Sequence, residues 1–270
     1  MLLVFDVGNT NLTLGLYLED ELVATWRVAS ERDRTADEYG LEFVHLLRRE
    51  GFAPADIAEA AMASVVPPLN IALHRACRKY LGVELTEVTS ASRTLPAIHY
   101  DNVSALGADR LVNAVAAWEM YGAPRRRPVI VVDFGTATKL ECVSAEGEYL
   151  GGCIAPGIGI STDALTRAAA RLQRIELVKP RQVLGRNMVA SLQSGIIYGF
   201  AGQADGLVRR LSREIAPNGP DPIVIATGGL AHLVVGESRT ITHVEPHLTL
   251  EGVRRVYERN RESRAWPAPP

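Results

Sequence analysis

Cysteine is scarce in this chain of 270 residues: there are three, Cys77, Cys142 and Cys153, far apart in sequence. No Cys-x-x-Cys pair or mixed Cys/His cluster exists. That excludes the usual zinc signatures and a disulfide framework, and it suits a reducing, cytoplasmic compartment. Charge of one sign is also lacking. The net charge is -2, so no basic field argues for a nucleic-acid partner. The N-terminal string MLLVFDVGNTN has no basic stretch ahead of its apolar run, which stops at Asp6, and does not read as a signal peptide. No apolar stretch approaches the ~20 residues that cross a bilayer, so no membrane partner is expected. Two catalytic signatures are missing as well: the Gly-x-Ser-x-Gly elbow of serine hydrolases and the Gly-x-x-x-x-Gly-Lys-Ser/Thr phosphate loop. His45, His74, His99, His232, His243 and His247 show no ligand-like spacing. Only His99 stands out, because it adjoins Tyr100.

What is present is an ordinary globular balance, 47% hydrophobic and 22% charged, with length for one large domain or two medium ones. Leu2–Asp6 is a short apolar run that predicts a buried strand. Gly8-Asn9-Thr10-Asn11 is turn chemistry. Leu12, Leu14, Leu16 and Leu18 then alternate with other residues, and Leu22–Val28 follows a Glu19-Asp20 turn. Three strands joined by tight turns predict an antiparallel meander. Thr35 and Glu38 have the spacing of a capping box, with Gly51 at the far end of the helix they open. Strands are predicted at Ala60–Val65 and Val83–Val88, and helices at Leu69–Leu81 and Ala108–Tyr121.

After Arg125-Arg126-Arg127, which reads either as a solvated linker or as a phosphate contact, the pattern restarts. Val129–Asp133 is an apolar strand ending in aspartate, Gly135-Thr136-Ala137-Thr138 is a turn, and strands follow near Lys139–Ser144 and Glu148–Ala155. A strand at Pro222–Ala226, a Gly228-Gly229 turn and a helix near Leu250–Arg261 complete the chain. Asp6-Val7-Gly8-Asn9-Thr10 and Asp133-Phe134-Gly135-Thr136-Ala137 thus hold the same place in two halves. The order of elements is duplicated rather than the letters. The halves are placed at 1–122 and 123–262, with 263–270, three prolines in eight residues, as a flexible tail. Between Ser191 and Ile215, Gly195, Gly199, Gly202 and Gly206 share one helical face. Each glycine costs roughly 1 kcal/mol against alanine in a helix. Such a face implies close packing inside the domain, a kink, or a subunit interface.

A turn that handles phosphate needs inward N–H groups and no bulky side chain in the way. Gly8, Asn9, Thr10 and Asn11 meet that need in the first half; Gly135, Thr136 and Thr138 meet it in the second. Asp6 and Asp133 would repel phosphate unless a cation lies between, and magnesium takes carboxylate and phosphate oxygens together. The other reading is that each aspartate caps its turn. Gly228 and Gly229 offer bare backbone for a flat ligand such as adenine. Asp109 and Arg110 open a helix, where a carboxylate is favoured by the helix dipole. The same pair suits phosphoryl transfer to an alcohol, since a carboxylate accepts the hydroxyl proton and arginine binds an anionic group.

These residues resemble a specific family. Asp6-Val7-Gly8-Asn9-Thr10-Asn11, Gly107-Ala108-Asp109-Arg110 with Asn113, Asp133-Phe134-Gly135-Thr136-Ala137-Thr138, Gly151-Gly152-x-Ile154-x-Pro156-Gly157 and Thr227-Gly228-Gly229 are similar, in this order, to the type III pantothenate kinases. That family belongs to the superfamily of acetate kinase, sugar kinases, heat-shock ATPases and actin. The resemblance runs from Met1 to about Arg261. It implies an α/β fold of two ribonuclease H-like domains related by duplication. Each would be a mixed sheet with a three-strand antiparallel meander flanked by helices, with ATP in the cleft between the two. It implies ATP-dependent phosphorylation of pantothenate to 4′-phosphopantothenate, the first step of coenzyme A biosynthesis. Asp109 would be the general base. Asp6, Val7, Gly8, Asn9, Thr10, Asn11, Leu12 and Thr13 would hold ATP phosphates, with Asp6 on Mg2+, while Thr136, Gly228 and Gly229 would add ATP contacts. Asp133 would bind a monovalent cation, K+ or NH4+. Tyr100, Gly107, Ala108, Asp109, Arg110 and Met188 would stand at the pantothenate site, and a homodimer is implied.

The chain departs from the family pattern twice. Thr-Thr-x-Asp is replaced by Thr138-Lys139-Leu140-Glu141, and a substrate-binding threonine after Gly185-Arg186-Asn187 is replaced by Met188, whose thioether is a weak acceptor. Lys139 then either reaches Asp133 and stands in for the monovalent cation or faces solvent. Two other readings remain: a catalytically impaired, kinase-like accessory or regulatory protein, and another small-molecule kinase of the same superfamily.

Overall fold

The structure, a computed structural model, describes residues 1–169, 172 and 174–262; the expected tail at 263–270 lies outside them. Contacts divide the chain into two units. The first holds Met1–Thr94, Asn102–Ala116 and the described residues from Thr249 onward; the second holds Leu95–Asp101 and Ala117–Leu248.

In the first unit, β1 (Leu2–Val7), β2 (Asn11–Leu18) and β3 (Glu21–Ala29) form the predicted antiparallel meander. Helix α1 (Ala36–Arg49) follows. Its capping box is made as the sequence predicts: the Glu38 N–H donates to Thr35 Oγ1 at 3.3 Å, and the Thr35 N–H donates to Glu38 Oε2 at 2.8 Å. Strand β4 (Glu59–Ser64) lies parallel to β1, helix α2 (Pro67–Ala76) follows, and β5 (Leu85–Val88) lies parallel to β4. The sheet order is β3-β2-β1-β4-β5. Tyr39, Phe43 and Leu47 of α1 and Leu69 and Leu73 of α2 pack with Phe5, Leu12, Leu14 and Met62 of the sheet.

The alternation in β2 predicts one buried face, yet Gly15 and Tyr17 are buried too. The reason comes from the far end of the chain. Helix α3 (Ala108–Ala117) begins in this unit. In the second, α4 (Ala123–Arg125), β6 (Val129–Phe134), β7 (Ala137–Val143), β8 (Tyr149–Pro156), α5 (Ile158–Ala168), α6 (Met188–Ile215), β9 (Ile223–Thr227), α7 (Ala231–Val234) and β10 (His243–Val244) follow in order. The last helix, α8 (Leu248–Glu262), then packs on the first unit. A β-carbon on Gly15 would meet Leu250 Cδ1 at 2.9 Å, and one on Gly252 would lie 2.1 Å from the Val112 carbonyl oxygen. The division at 122/123 followed sequence order. In the structure, helix α8 groups with the first half, because its apolar residues Leu250, Val253 and Val256 are buried there.

The second sheet has the order β10-β9-β6-β7-β8. Strands β6, β7 and β8 are antiparallel, and β6, β9 and β10 are parallel. Every strand of one sheet has a counterpart in the other, β1 with β6 and onward, so the duplication of order is a duplication of topology. Its core gathers Ile130, Val132, Phe134, Leu140, Ile158 and Val224 as fully or nearly fully buried residues. The π-helical turn Trp118–Gly122 extends the run that α3 begins.

Candidate active site

In the first unit, the Gly8 N–H donates to the Asn11 carbonyl at 3.0 Å and closes the turn between β1 and β2. A β-carbon on Gly8 would fall 3.0 Å from that same oxygen. Asn9, Thr10 and Asn11 are exposed at its tip, and Asn9 Oδ1 accepts from Arg32 at 3.5 Å. Asp6, half-buried, faces Thr13 across the ladder. Val7 and Leu12 are 0% exposed and belong to the core. Of those two residues, only main-chain groups are left to meet a ligand.

Gly107 and Asp109 lie beside Val65, a residue at the same strand ends that the sequence reading did not single out. The Val65 N–H donates to the Val7 carbonyl at 3.0 Å, and a β-carbon on Gly107 would lie 3.4 Å from Val65 Cγ1. The same β-carbon would come within 2.5 Å of Asp109 Oδ1. Glycine at 107 therefore leaves room for the carboxylate at the start of α3. Asp109 Oδ1 accepts the Arg110 N–H at 2.8 Å. Ala108 and Arg110 are buried. Asn113, one turn on, is 1% exposed, and its Oδ1 has no hydrogen-bond partner among the described residues. A depression lined by Thr35, Asp37, Arg75, Arg78 and Lys79 holds none of the expected residues. Two of its cations already have partners, Arg78 with Glu84 and Lys79 with Asp37, each at 2.7 Å.

The second unit repeats the turn. The Gly135 N–H donates to the Ala137 carbonyl at 3.1 Å, and the Leu230 N–H donates to the Phe134 carbonyl as Val65 does to Val7. Thr136 is exposed at the tip. Gly157 packs against its backbone, where a β-carbon would lie 2.2 Å from the Thr136 carbonyl oxygen. Thr138 is fully buried, and its hydroxyl has no partner among the described residues. Gly228 has a φ of +93°, which favours glycine. A β-carbon there would also meet Asp133 Oδ1 at 2.5 Å. Gly229 is exposed beside it.

Asp133 and Lys139 stand directly opposite each other in the β6–β7 ladder. Lys139 Nζ lies 2.8 Å from Asp133 Oδ2, and the two side chains are 17% and 13% exposed. Of the two readings of Lys139, the structure takes the one that reaches Asp133. Removing one partner of a buried pair costs about 3–5 kcal/mol, because the other charge is left uncompensated.

Tyr100 belongs to the second unit, and Gly107–Arg110 to the first. Residues 97–99 are strapped to Tyr149: the His99 N–H donates to its carbonyl at 2.8 Å, and its N–H donates to Ala97 at 2.9 Å. The Tyr100 ring meets Tyr149 edge-on with centroids 6.2 Å apart. The Tyr149 hydroxyl donates to the buried Glu141 carboxylate. The unusual Glu141 thus fixes the ring on which Tyr100 rests. Met188 is 50% exposed as the first residue of α6. It follows the cap Asn187, whose side chain accepts the Ala190 N–H at 2.9 Å. Gly195, Gly199 and Gly202 are exposed, and added β-carbons there would meet nothing within 4 Å. Close packing inside the domain is not what these three glycines serve among the described residues.

The donor sets differ in what they fit. Asp6, a single carboxylate beside a phosphate-type turn, suits magnesium, which is commonly held by one or two carboxylates with phosphates and water. No group of three or more metal-ligating side chains occurs among the described residues. At Asp133 a free monovalent cation does not fit, since an ammonium already lies on the carboxylate. Two unit positive charges about 4 Å apart repel by about 4 kcal/mol at the effective dielectric of such sites.

Residues 2–210 match the family model described as type III pantothenate kinase. A protein of Symbiobacterium thermophilum named type III pantothenate kinase 1 is 66% identical over 267 residues, 99% of this chain and 98% of that one. A type III pantothenate kinase of Moorella thermoacetica is 50% identical over 260 residues, 96% of this chain and 100% of that one. Among solved structures, a Campylobacter jejuni protein described as a Baf family transcriptional activator superposes with a TM-score of 0.58 at 17% identity, over 96% of this chain and 99% of that one. MreB 5 of Spiroplasma citri bound to AMPPNP gives 0.52 at 12% identity, over 97% and 98%. At such identities these two speak for the fold alone.

Proposed function

The chain belongs to the type III pantothenate kinase family, and on that premise we propose that it transfers the γ-phosphoryl group of ATP to the 4′-hydroxyl of pantothenate, opening coenzyme A biosynthesis. The observation that carries this reading at the level of chemistry is the proximity of Gly107 and Asp109 to Val65, which is hydrogen-bonded to Val7. It sets a carboxylate at the strand ends from which the Gly8 turn springs.

Asp109 accepts the proton of the attacking hydroxyl. The new bond forms between that oxygen and the γ-phosphorus, the bond from γ-phosphorus to the bridging oxygen breaks, and ADP leaves. The main chain of Gly8 to Thr13 and the side chains of Asn9, Thr10 and Asn11 hold phosphate oxygens. Thr136, Gly228 and Gly229 add ATP contacts. Asp6 holds magnesium, which when bound offsets charge on the phosphates. Gly107 to Arg110 and Tyr100 bind pantothenate; Met188 stands where the family has a hydroxyl.

The exposed face of Gly195, Gly199 and Gly202, which exposed Met188 shares on α6, supports a homodimer through that helix. No helix is long and apolar enough to cross a membrane among the described residues. The three free cysteines suit a cytoplasmic setting. The deciding experiment measures ADP release with ATP and magnesium, with and without pantothenate, and identifies the phosphorylated product by mass. ADP release indifferent to pantothenate would overturn the substrate assignment.

A further inference from the structure

We propose that Lys139 supplies, as a tethered ammonium, the single positive charge at Asp133, so that this kinase turns over without an added potassium or ammonium ion. The inference rests on the kinase reading above and adds to it the source of the cation.

Geometry carries it. Asp133 and Lys139 are cross-strand neighbours at the end of β6, one residue before the Gly135-Thr136 turn. Their side chains are both mostly buried and 2.8 Å apart, so this is not a solvated surface pair of little consequence. The other carboxylate oxygen, Oδ1, lies 2.5 Å from where a β-carbon on Gly228 would fall, so only glycine at 228 leaves the carboxylate its place. A free potassium ion needs several oxygens to replace its hydration shell. Here the Lys139 ammonium already holds the place at Asp133 Oδ2 that such an ion would take. A lysine head group is chemically an alkylated ammonium ion: it carries the same charge and donates the same kind of N–H bonds. Held covalently on β7, it has no association cost and does not depend on the medium. Its charge lies at the strand end where the second phosphate-type turn begins, the position at which a fixed cation offsets charge on a nucleotide.

The test compares wild type with Lys139→Met and Lys139→Arg. Pantothenate-dependent ADP release is measured in sodium or tetramethylammonium chloride and again with potassium or ammonium chloride. Ionic strength is held at about 0.1 M so that screening is equal in every arm. Wild type and Lys139→Arg are expected to change by less than about twofold on adding potassium. Lys139→Met is expected to lose about 10- to 100-fold without potassium and to recover with potassium or ammonium but not with sodium. A wild type that needs potassium for most of its turnover overturns the proposal, as does a Lys139→Met protein fully active without it. Melting curves read the same site without any reaction. Potassium is expected to raise the melting temperature of Lys139→Met and to leave wild type unmoved; no potassium response in the variant overturns the proposal. If wild type proves inactive with every cation, the kinase reading has failed, and the melting arm still decides the role of Lys139. If Lys139→Met does not fold, Lys139→Arg decides: a potassium requirement in it overturns the proposal.

Discussion

The Arg110 N–H donates to Asp109 Oδ1 at 2.8 Å, so the proposed general base also satisfies a first-turn N–H of its own helix. Both readings of Asp109 open in the sequence, helix start and proton acceptor, are therefore compatible in one side chain. Asp109→Asn keeps an oxygen acceptor for that bond and removes only the charge. Its kcat is expected to fall by at least about 100-fold, the scale of a lost general base, with the melting temperature unchanged. Coupled ADP-release kinetics and a melting curve check the two halves of the statement.

Gly157→Ala places a methyl group 2.2 Å from the Thr136 carbonyl oxygen. The neighbour is backbone of the second turn and cannot swing aside. The turn has to move, and kcat/KM for ATP is expected to drop by about 10- to 100-fold, with a smaller effect on the KM for pantothenate. Initial rates with each substrate varied in turn make the comparison.

Gly252→Ala tests the return of the last helix. Its β-carbon would fall 2.1 Å from the Val112 carbonyl oxygen, forcing α8 away from α3. Overpacking costs about 1–3 kcal/mol; a clash with backbone, which cannot swing aside, falls at the upper end of that range and exceeds the helix-propensity gain of roughly 1 kcal/mol from replacing glycine. Urea unfolding is expected to show a lower midpoint.

Gly199→Leu addresses the open face of α6, where nothing within 4 Å opposes a new side chain. The isolated chain tolerates the change, whereas a homodimer packed through this face does not. Light scattering is expected to show the wild type as a dimer and the variant shifted towards monomer, with its helix content unaltered.

Asp205 on α6 anchors the loop at Ser238–Thr240. Burial by itself would raise its carboxyl pKa. Bonds from the Ser238 hydroxyl, the Arg239 and Thr240 N–H groups and the Thr240 hydroxyl outweigh burial and hold it below its ordinary value. A carboxyl lowered on folding contributes stability that is fully present above its unfolded pKa of about 3.9. That contribution is lost as the pH falls through the folded value. Asp205→Asn is expected to be less stable than wild type near neutrality, and the gap is expected to narrow as the pH drops below about 4. Melting temperatures across that range check it.

Much of this protein was legible in its sequence because the relevant signals are local. The two Asp-x-Gly turns, the meander in each half and the Thr35–Glu38 capping box depend on residues a few positions apart. The structure finds them where periodicity and turn chemistry put them. Lys139 stood at the edge of what could be read. Six residues from Asp133, it could face solvent or the carboxylate, and only the register of β6 on β7 makes the two direct neighbours. Strand β10 was missed because two residues carry no periodicity.

Sequence by itself determined the order of elements, the doubling of that order and the residue types available for phosphate, cation and proton. Tertiary structure alone decided which residues meet. Val65 joins Val7 and lies beside Gly107, helix α8 returns to cover Gly15 and cross Val112, and Tyr149 ties Glu141 to Tyr100. These contacts join residues distant along the chain, and burial of apolar surface together with close backbone approach selects them. Neither leaves a short-range pattern to read.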